Sequence, residues 1–118
     1  MVEEVVLTRG GVYLAKLDPA KHTEVGKIRW VVILTAQSIL NVKPMITFVC
    51  PLSSQSQPEF SSLHVKLPPR DNLQVASYAL TEHCRTITTK RLVYPRLAQL
   101  TSQEIEAILH RLQRFIGV

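Results

Sequence analysis

The sequence predicts a mainly β protein, in which a small, strongly curved sheet or open barrel is accompanied by one C-terminal helix. Three observations indicate this fold class. Short runs rich in β-branched and aromatic residues recur along the chain, separated by polar segments that carry Pro, Gly, Asp or Ser. Helical spacing of apolar residues is clear only near the C-terminus. The length of 118 residues and the apolar fraction of 46% fit one compact domain, predicted to span residues 1–118.

The N-terminal half is predicted to contain three strands. The turn-forming pair Asp18-Pro19 ends the first of them, and a polar, aperiodic loop over residues 20–28 leads into the second. The second strand contains an unbroken apolar run, which suits a strand covered on both faces. One short helical turn, closed by Pro44, precedes the third strand. These strands are predicted at residues 12–17, 30–35 and 45–52.

The middle of the chain alternates between polar loops and short strands. In the loop SSQSQPEFSS, Pro58 blocks regular strand pairing. Residues 63–67 alternate as a half-buried strand would, which predicts that His64 and Lys66 lie on the exposed face. One or two further strands follow, with a sharp bend near Thr81-Glu82.

A final short, basic strand is predicted to stop at Pro95, and the one long helix follows it. Thr101 and Glu104 have the spacing of a capping box, in which each side chain satisfies a free backbone N–H of the first turn. Gly117 is suited to end the helix. An apolar stripe at helical spacing is expected to be core or dimer interface. Its members are Ile105, Ile108, Leu109, Leu112, Phe115 and Ile116.

The composition favours an anionic partner and an intracellular setting. The net charge is +5, and each Lys or Arg placed on a phosphate releases condensed counterions. No apolar run approaches the roughly 18 to 20 residues of a membrane span, and the N-terminus lacks the pattern of a signal peptide, so a cytoplasmic protein is expected. Cys50 and Cys84 lie in strand-like segments without metal-type spacing, which favours reduced core thiols.

Several common kinds of active site have no support in the sequence. There is no glycine-rich nucleotide loop, and the four histidines show no metal-ligand spacing. The acidic residues do not suggest a paired-carboxylate site. A Ser–His–Asp triad stays open, although no serine lies in a nucleophile-elbow context.

An arginine and a hydroxyl pair are the remaining candidates for chemistry. Arg29 lies where a polar loop meets the second strand, and Ser53 and Ser54 follow the third. If these strand ends meet at one rim of the barrel, a guanidinium and a hydroxyl converge there. Such a pair can hold a scissile RNA phosphate and neutralise the charge that develops while the ribose 2′-OH attacks.

The chain resembles the MazF/PemK/Kid toxins, the messenger-RNA endoribonucleases of toxin–antitoxin pairs. The resemblance spans roughly residues 8–118 and rests on RGGVYLAKLDPAKHTEVGKIRWVVIL, then CPLSSQ, then CRTITTKRL and the closing helix. It implies an SH3-like barrel with a C-terminal helix, working as a homodimer without metal or other cofactor and silenced by an antitoxin segment laid across the RNA groove. It also implies cleavage by 2′-OH attack, leaving 2′,3′-cyclic phosphate and 5′-OH ends.

The resemblance assigns roles to individual residues. The catalytic arginine of the family falls on Arg29, and its catalytic threonine or serine falls on Ser53. The family's loop glutamate falls on Glu24, and its basic block falls on Arg85, Lys90 and Arg91. The other residues predicted to contact RNA are Lys27, Trp30, Ser54, Gln55 and His83.

The chain also departs from the family pattern, so its base selection is expected to differ and its activity could be reduced. The family usually has aspartate at the positions of Gly11 and Thr88, and glutamine at those of Val25 and His83. It usually has proline at the position of Trp30. Two rival functions stay open: a non-catalytic RNA-binding module of the same fold, and a gyrase poison like CcdB. The gyrase poison lacks support, because CcdB-like toxins have a tryptophan near the C-terminus and the last residues of this chain, RFIGV, include none.

Overall fold

The computed structural model describes residues 6–17 and 27–118, and within them it contains seven β-strands and two α-helices. Part of the predicted loop at residues 20–28, including Glu24, lies outside the described residues. The strands are β1 (Gly11–Lys16), β2 (Ile28–Ile33), β3 (Ile46–Ser53), β4 (His64–Leu67), β5 (Ser77–Leu80), β6 (Arg85–Thr88) and β7 (Leu92–Gln99). The helices are α1 (Gln37–Leu40), the short turn predicted before Pro44, and α2 (Ser102–Ile116).

The strands form one antiparallel sheet in the order β4-β5-β3-β2-β1-β7, and β6 pairs with β3 off this path. Helix α2 packs against β4 and against two short 3-10 turns, Pro58–Leu63 and Thr81–His83. The second of these turns is the bend that the sequence predicts near Thr81. A mainly β protein with a C-terminal helix is therefore confirmed.

The central strands are buried on both faces because the sheet curls around two apolar clusters. Alternate residues of a strand point to opposite faces, so neighbouring positions in β1, β2 and β3 enter different clusters. One cluster includes Val12, Val32, Cys50, Leu52 and Ile108. The other includes Tyr13, Ala15, Val31, Ile33 and Val49. The prediction that the apolar run of the second strand is covered on both sides is thereby confirmed.

Two details of the predicted strands are wrong. The last strand does not stop at Pro95 but continues to Gln99. Pro95 lies between Val93 and Ala98, where the β1–β7 register shifts, so its missing N–H breaks no ladder bond. His64 is buried rather than exposed, because Ser56 and Glu82 hydrogen-bond both of its ring nitrogens.

The start of α2 follows the predicted capping box. Thr101 Oγ1 accepts a hydrogen bond from the Glu104 amide, and Glu104 Oε1 accepts one from the Thr101 amide at 2.9 Å. Gly117 ends the helix with a φ of 90°, a conformation that suits glycine. The Glu104 carboxylate also forms a two-pronged ion pair with the Arg70 guanidinium. The hydrogen bonds from Arg70 are the main reason that the pKa of Glu104 is lowered.

Glu104→Gln is expected to lower the free energy of unfolding by about 1 kcal/mol at neutral pH, because the amide keeps the capping geometry but loses the ion pair. The folded-state pKa of Glu104 is depressed, so its contribution is full above its ordinary value of 4.5 and is lost as the pH falls through the lowered value. Urea unfolding between pH 7 and pH 3 measures this. Glu106→Gln, an exposed change in the same helix, is the matched control. Equal pH dependence in the wild type and Glu104→Gln would contradict the prediction.

The possibility of a membrane-spanning helix is settled for the part of the chain that the structure describes. Neither α1 nor α2 combines the length and the apolarity that crossing a bilayer requires.

Candidate active site

A groove opens where β2 and β3 part. The two strands pair from Ile33 opposite Val49 to Val31 opposite Pro51, and no further. Proline has no N–H to donate to a ladder, so Pro51 is a natural place for the pairing to end. On its other edge β3 is still paired there, with Ser53 opposite Tyr78 of β5. The space left between the first residues of β2 and the last of β3 is a groove of about 360 Å³.

Polar groups and an apolar wall share this groove. Leu52 and Val75 provide apolar surface. Arg29 comes from the second position of β2, Ser53 ends β3, and Ser54 follows directly. The guanidinium and the hydroxyls that the sequence singles out thus come together in one groove, although they are far apart in the sequence.

Strand register fixes which way the two principal side chains point. Arg29 alternates with Val31, and Ser53 alternates with Pro51. Because Val31 and Pro51 are direct partners, Arg29 and Ser53 project from the same face of the sheet, at the same end. Continuing the register by two residues places them opposite each other across the groove.

The Ser53 hydroxyl is oriented by its own loop. Its Oγ accepts a hydrogen bond from the backbone N–H of Gln55 at 3.1 Å. A hydroxyl that already accepts an N–H keeps its own hydrogen available for a second acceptor, such as an anionic oxygen. The backbone of Gln55, rather than its amide side chain, is therefore the part of this residue that acts on Ser53.

Two more of the predicted site residues flank Arg29. Trp30 lines the groove and packs against the apolar cluster around Val32 and Leu52, so its ring is half-buried. Lys27 is exposed and has a φ of 61°. Its carbonyl oxygen accepts a hydrogen bond of 2.6 Å from the Leu17 amide, which holds the start of β2 beside the end of β1.

The three basic side chains at residues 85–91 lie in different environments. Arg85 is half-buried, and no group among residues 6–17 and 27–118 hydrogen-bonds its buried Nη1. Arg91 Nη1 donates to the carbonyl oxygen of Lys16 at 2.9 Å, and Lys90 is exposed. Both lie just before Leu92, which pairs with Ala15.

His83 lies away from Arg29 and Ser53. It lines a separate depression, together with Phe60, Phe115 and Glu59. The sequence resemblance groups His83 with the RNA-contacting residues, and the structure does not bring it into the groove. Its predicted role therefore requires an RNA long enough to reach both places.

A buried polar chain close to the groove was not found from the sequence. His64 Nδ1 lies 2.7 Å from Ser56 Oγ, and His64 Nε2 lies 2.8 Å from a Glu82 carboxylate oxygen. A serine, a histidine and a carboxylate in a row resemble a hydrolase triad, but there the serine hydrogen-bonds Nε2 rather than Nδ1. Here the chain ties the loop that follows Ser53 to β4 and to the turn at residues 81–83. The only signal in the sequence is a histidine within an apolar alternation.

Metal and thiol chemistry have little support in the described residues. Between residues 6 and 17 and from 27 onward, no three His, Cys, Asp or Glu side chains cluster as metal ligands would. Cys50 and Cys84 are both free thiols. Burial raises the pKa of the Cys50 thiol well above its usual value, which keeps it protonated and unreactive.

The fold is that of MazF toxins, as comparison with solved structures shows. MazF from Deinococcus radiodurans superposes with a TM-score of 0.81 at 19% identity, covering 98% of this chain and 100% of that one. Mycobacterium tuberculosis toxin MazF-mt6 gives 0.73 at 18% identity, covering 92% and 97%. An endoribonuclease in complex with its cognate antitoxin, from a mycobacterial species, gives 0.69 at 17% identity, covering 96% and 95%.

The chain belongs to the PemK-like, MazF-like toxins of type II toxin–antitoxin systems, whose family model matches residues 8–116. A search of curated proteins found no match. The SH3-like barrel with a C-terminal helix that the sequence resemblance implies is thus confirmed.

Proposed function

We propose that this protein is a sequence-selective endoribonuclease, the toxin of a type II toxin–antitoxin pair, and that it cleaves RNA in the groove between β2 and β3. The observation that carries the proposal is the presence of Arg29 and Ser53 on one face of that groove. A permanent cation and a hydroxyl donor converge there, and together they can donate hydrogen bonds to the two nonbridging oxygens of a phosphodiester. Family membership supports the same activity.

The proposed reaction is a transesterification that needs no water and no metal. The ribose 2′-OH attacks the adjacent phosphorus, the P–O5′ bond breaks, and the products are a 2′,3′-cyclic phosphate and a 5′-OH end. The proton lost from the 2′-OH is balanced by the one gained at O5′. A guanidinium stays protonated at physiological pH, so Arg29 donates hydrogen bonds to the phosphoryl oxygens, where negative charge grows, and does not act as a base. Ser53 donates a second hydrogen bond to the same group.

Trp30 and Ser54 are proposed to hold the nucleotides beside the scissile bond. An indole ring at the groove wall can stack on a base, which contributes about 1–3 kcal/mol per base in single-strand binding. Trp30 stands where the family has a proline, so this stack would be a specific property of this chain. It would change which base is accepted next to the cut.

The proposed partners are RNA, an antitoxin and a second copy of the chain. MazE–MazF from Deinococcus radiodurans and the mycobacterial endoribonuclease were both solved with an antitoxin, which supports an antitoxin partner for this toxin. The sequence resemblance is the basis for the homodimer. The molar mass measured by light scattering at several concentrations tests it, and a constant mass of 13.3 kDa would reject it.

Incubation of the purified protein with a mixed-sequence RNA in the presence of EDTA tests the proposed activity. We expect discrete cuts with 2′,3′-cyclic phosphate and 5′-OH ends, detected by end-labelling before and after phosphatase treatment. Intact RNA with a mobility shift would instead identify a non-catalytic RNA-binding module. Intact RNA together with blocked DNA supercoiling by gyrase would identify a gyrase poison.

Lys90→Ala is expected to weaken RNA binding and to lower the slope of log K against log salt by about 0.7, the value for one phosphate contact on a single strand. Lys90 is exposed just before Leu92, whose partner Ala15 also pairs with Arg29, so this lysine lies at the groove end of the sheet. Fluorescence anisotropy at several salt concentrations measures the slope. Arg114→Ala removes an equal charge from the exposed end of α2 and is the matched control. If both variants give the wild-type slope, Lys90 does not contact phosphate.

A further inference from the structure

We propose that Tyr78 and Lys66 form a subsite for the nucleotide next to the scissile phosphate, with the Tyr78 ring stacked on its base and the Lys66 ammonium on its phosphate. Neither residue lines the groove itself, and neither belongs to the motifs that relate the chain to its family. The inference rests on the proposed function and extends it across the sheet.

Strand register carries the argument. Ser53 on β3 is directly opposite Tyr78 on β5, and Tyr78 is directly opposite Lys66 on β4. Direct partners in an antiparallel sheet project from the same face. Because Arg29 shares that face with Ser53, four neighbouring strands present one row of side chains. From β2 to β4 the row consists of Arg29, Ser53, Tyr78 and Lys66.

The order and spacing of these four side chains suit a strand of RNA that lies across the sheet. Neighbouring strands lie about 4.8 Å apart, so Lys66 starts about 10 Å from Ser53, and its long side chain can shorten that distance toward a neighbouring phosphate. A cation therefore stands at each end, with a hydroxyl and an aromatic ring between them. Cations alternating with a stacking ring are how proteins hold single-stranded nucleic acid.

Both side chains are available for a ligand. Lys66 is exposed and Tyr78 is half-buried. In the stretches 6–17 and 27–118, no hydrogen bond or ion pair engages the Lys66 ammonium or the Tyr78 hydroxyl. A surface lysine and tyrosine with no structural partner can be replaced without a cost to the fold beyond their packing.

Buried residues lie next to the pair along both strands. On the same face, the next residues inward are His64 on β4 and Leu80 on β5, which are direct partners and are both buried. His64 is itself fixed by Ser56 and Glu82. The two strand segments that carry Tyr78 and Lys66 are thus each anchored by a buried residue two positions away on the same face.

The test uses a 2′-O-methyl oligoribonucleotide of mixed sequence, which has no 2′-OH to attack and therefore reports binding without cleavage. Fluorescence anisotropy is measured at several salt concentrations for the wild type, Lys66→Ala, Tyr78→Phe, Tyr78→Leu and the control Arg114→Ala. We expect Lys66→Ala to weaken binding and to lower the salt slope by about 0.7. We expect Tyr78→Leu to weaken binding by about tenfold and Tyr78→Phe to bind as the wild type does, because phenylalanine keeps the stacking face. Thermal melts confirm that each variant is folded.

Cleavage of ordinary RNA gives a second readout. A subsite that binds the ground state and the transition state equally raises KM and leaves kcat unchanged. If Lys66→Ala has the same salt slope as Arg114→Ala, or Tyr78→Phe loses as much binding as Tyr78→Leu, the subsite is wrong. Should the wild type cut RNA while every variant binds normally, the subsite fails and the proposed function stands. A wild type that neither binds nor cuts RNA rejects both.

Discussion

Arg29→Ala is expected to slow RNA cleavage by at least about 10³-fold while the protein remains folded. Arg29 is exposed at the second position of β2, so its side chain fills no core space. The guanidinium is the only permanent cation that lines the groove among the described residues, and it shares a face with Ser53. Removing it leaves the growing negative charge on the phosphoryl oxygens without its main electrostatic partner. Single-turnover cleavage with excess protein measures the chemical step directly.

Arg29→Lys is the informative companion variant. Lysine keeps the charge but lacks the planar fork that contacts two phosphate oxygens at once, so an intermediate rate is expected. Circular dichroism and a thermal melt establish that both variants fold. If Arg29→Ala cuts at the wild-type rate, Arg29 has no part in the mechanism, and the proposed active site is wrong.

Ser53→Ala is expected to reduce the cleavage rate by about 10²-fold or more, the typical effect of losing one transition-state donor. The loss should fall on kcat, because the hydroxyl is proposed to act on the charge that develops during the reaction. Ser53→Thr keeps the hydroxyl and should keep most of the activity. Ser38→Ala, an exposed serine in α1, controls for the loss of any hydroxyl.

The two results together distinguish a catalytic hydroxyl from a structural one. Ser53 Oγ accepts a hydrogen bond from the Gln55 amide, so its removal also loosens the start of the next loop. A purely structural role would raise KM and lower the melting temperature, and threonine and alanine would then differ little in kcat. A kcat for Ser53→Ala equal to that of the wild type would remove Ser53 from the chemistry.

The groove depends on where the pairing of β2 with β3 ends, and no local sequence pattern indicates that point. Pro51 ends the pairing of β3 with β2, while Leu52 and Ser53 still pair with β5 on the other edge of β3. The apolar run at residues 45–52 predicts a strand, and that strand is confirmed as β3. Its partners are set by residues tens of positions away, so the sequence could place Arg29 and Ser53 at strand ends but could not establish that the ends meet.

The two wrong predictions, that the last strand stops at Pro95 and that His64 is exposed, have the same origin. Pro95 is a strand breaker by its chemistry, yet the β1–β7 register shift leaves its position free of ladder bonds. His64 alternates with Val65 as an exposed residue would, yet a serine and a glutamate from other segments bury it. Local rules describe what a residue prefers, and long-range contacts outweighed those preferences here.

By itself, the sequence determined the short β-branched strands, the capping box of α2 and the residue types able to act on a phosphate, because each depends on side chains close together in the chain. The family pattern read from those residues is confirmed by a family model covering residues 8–116. Only the tertiary structure decided that Arg29 and Ser53 share a groove, that His83 lies elsewhere and that Tyr78 and Lys66 extend the row. Those facts follow from strand register, which depends on pairing between distant segments and on the sheet's curvature.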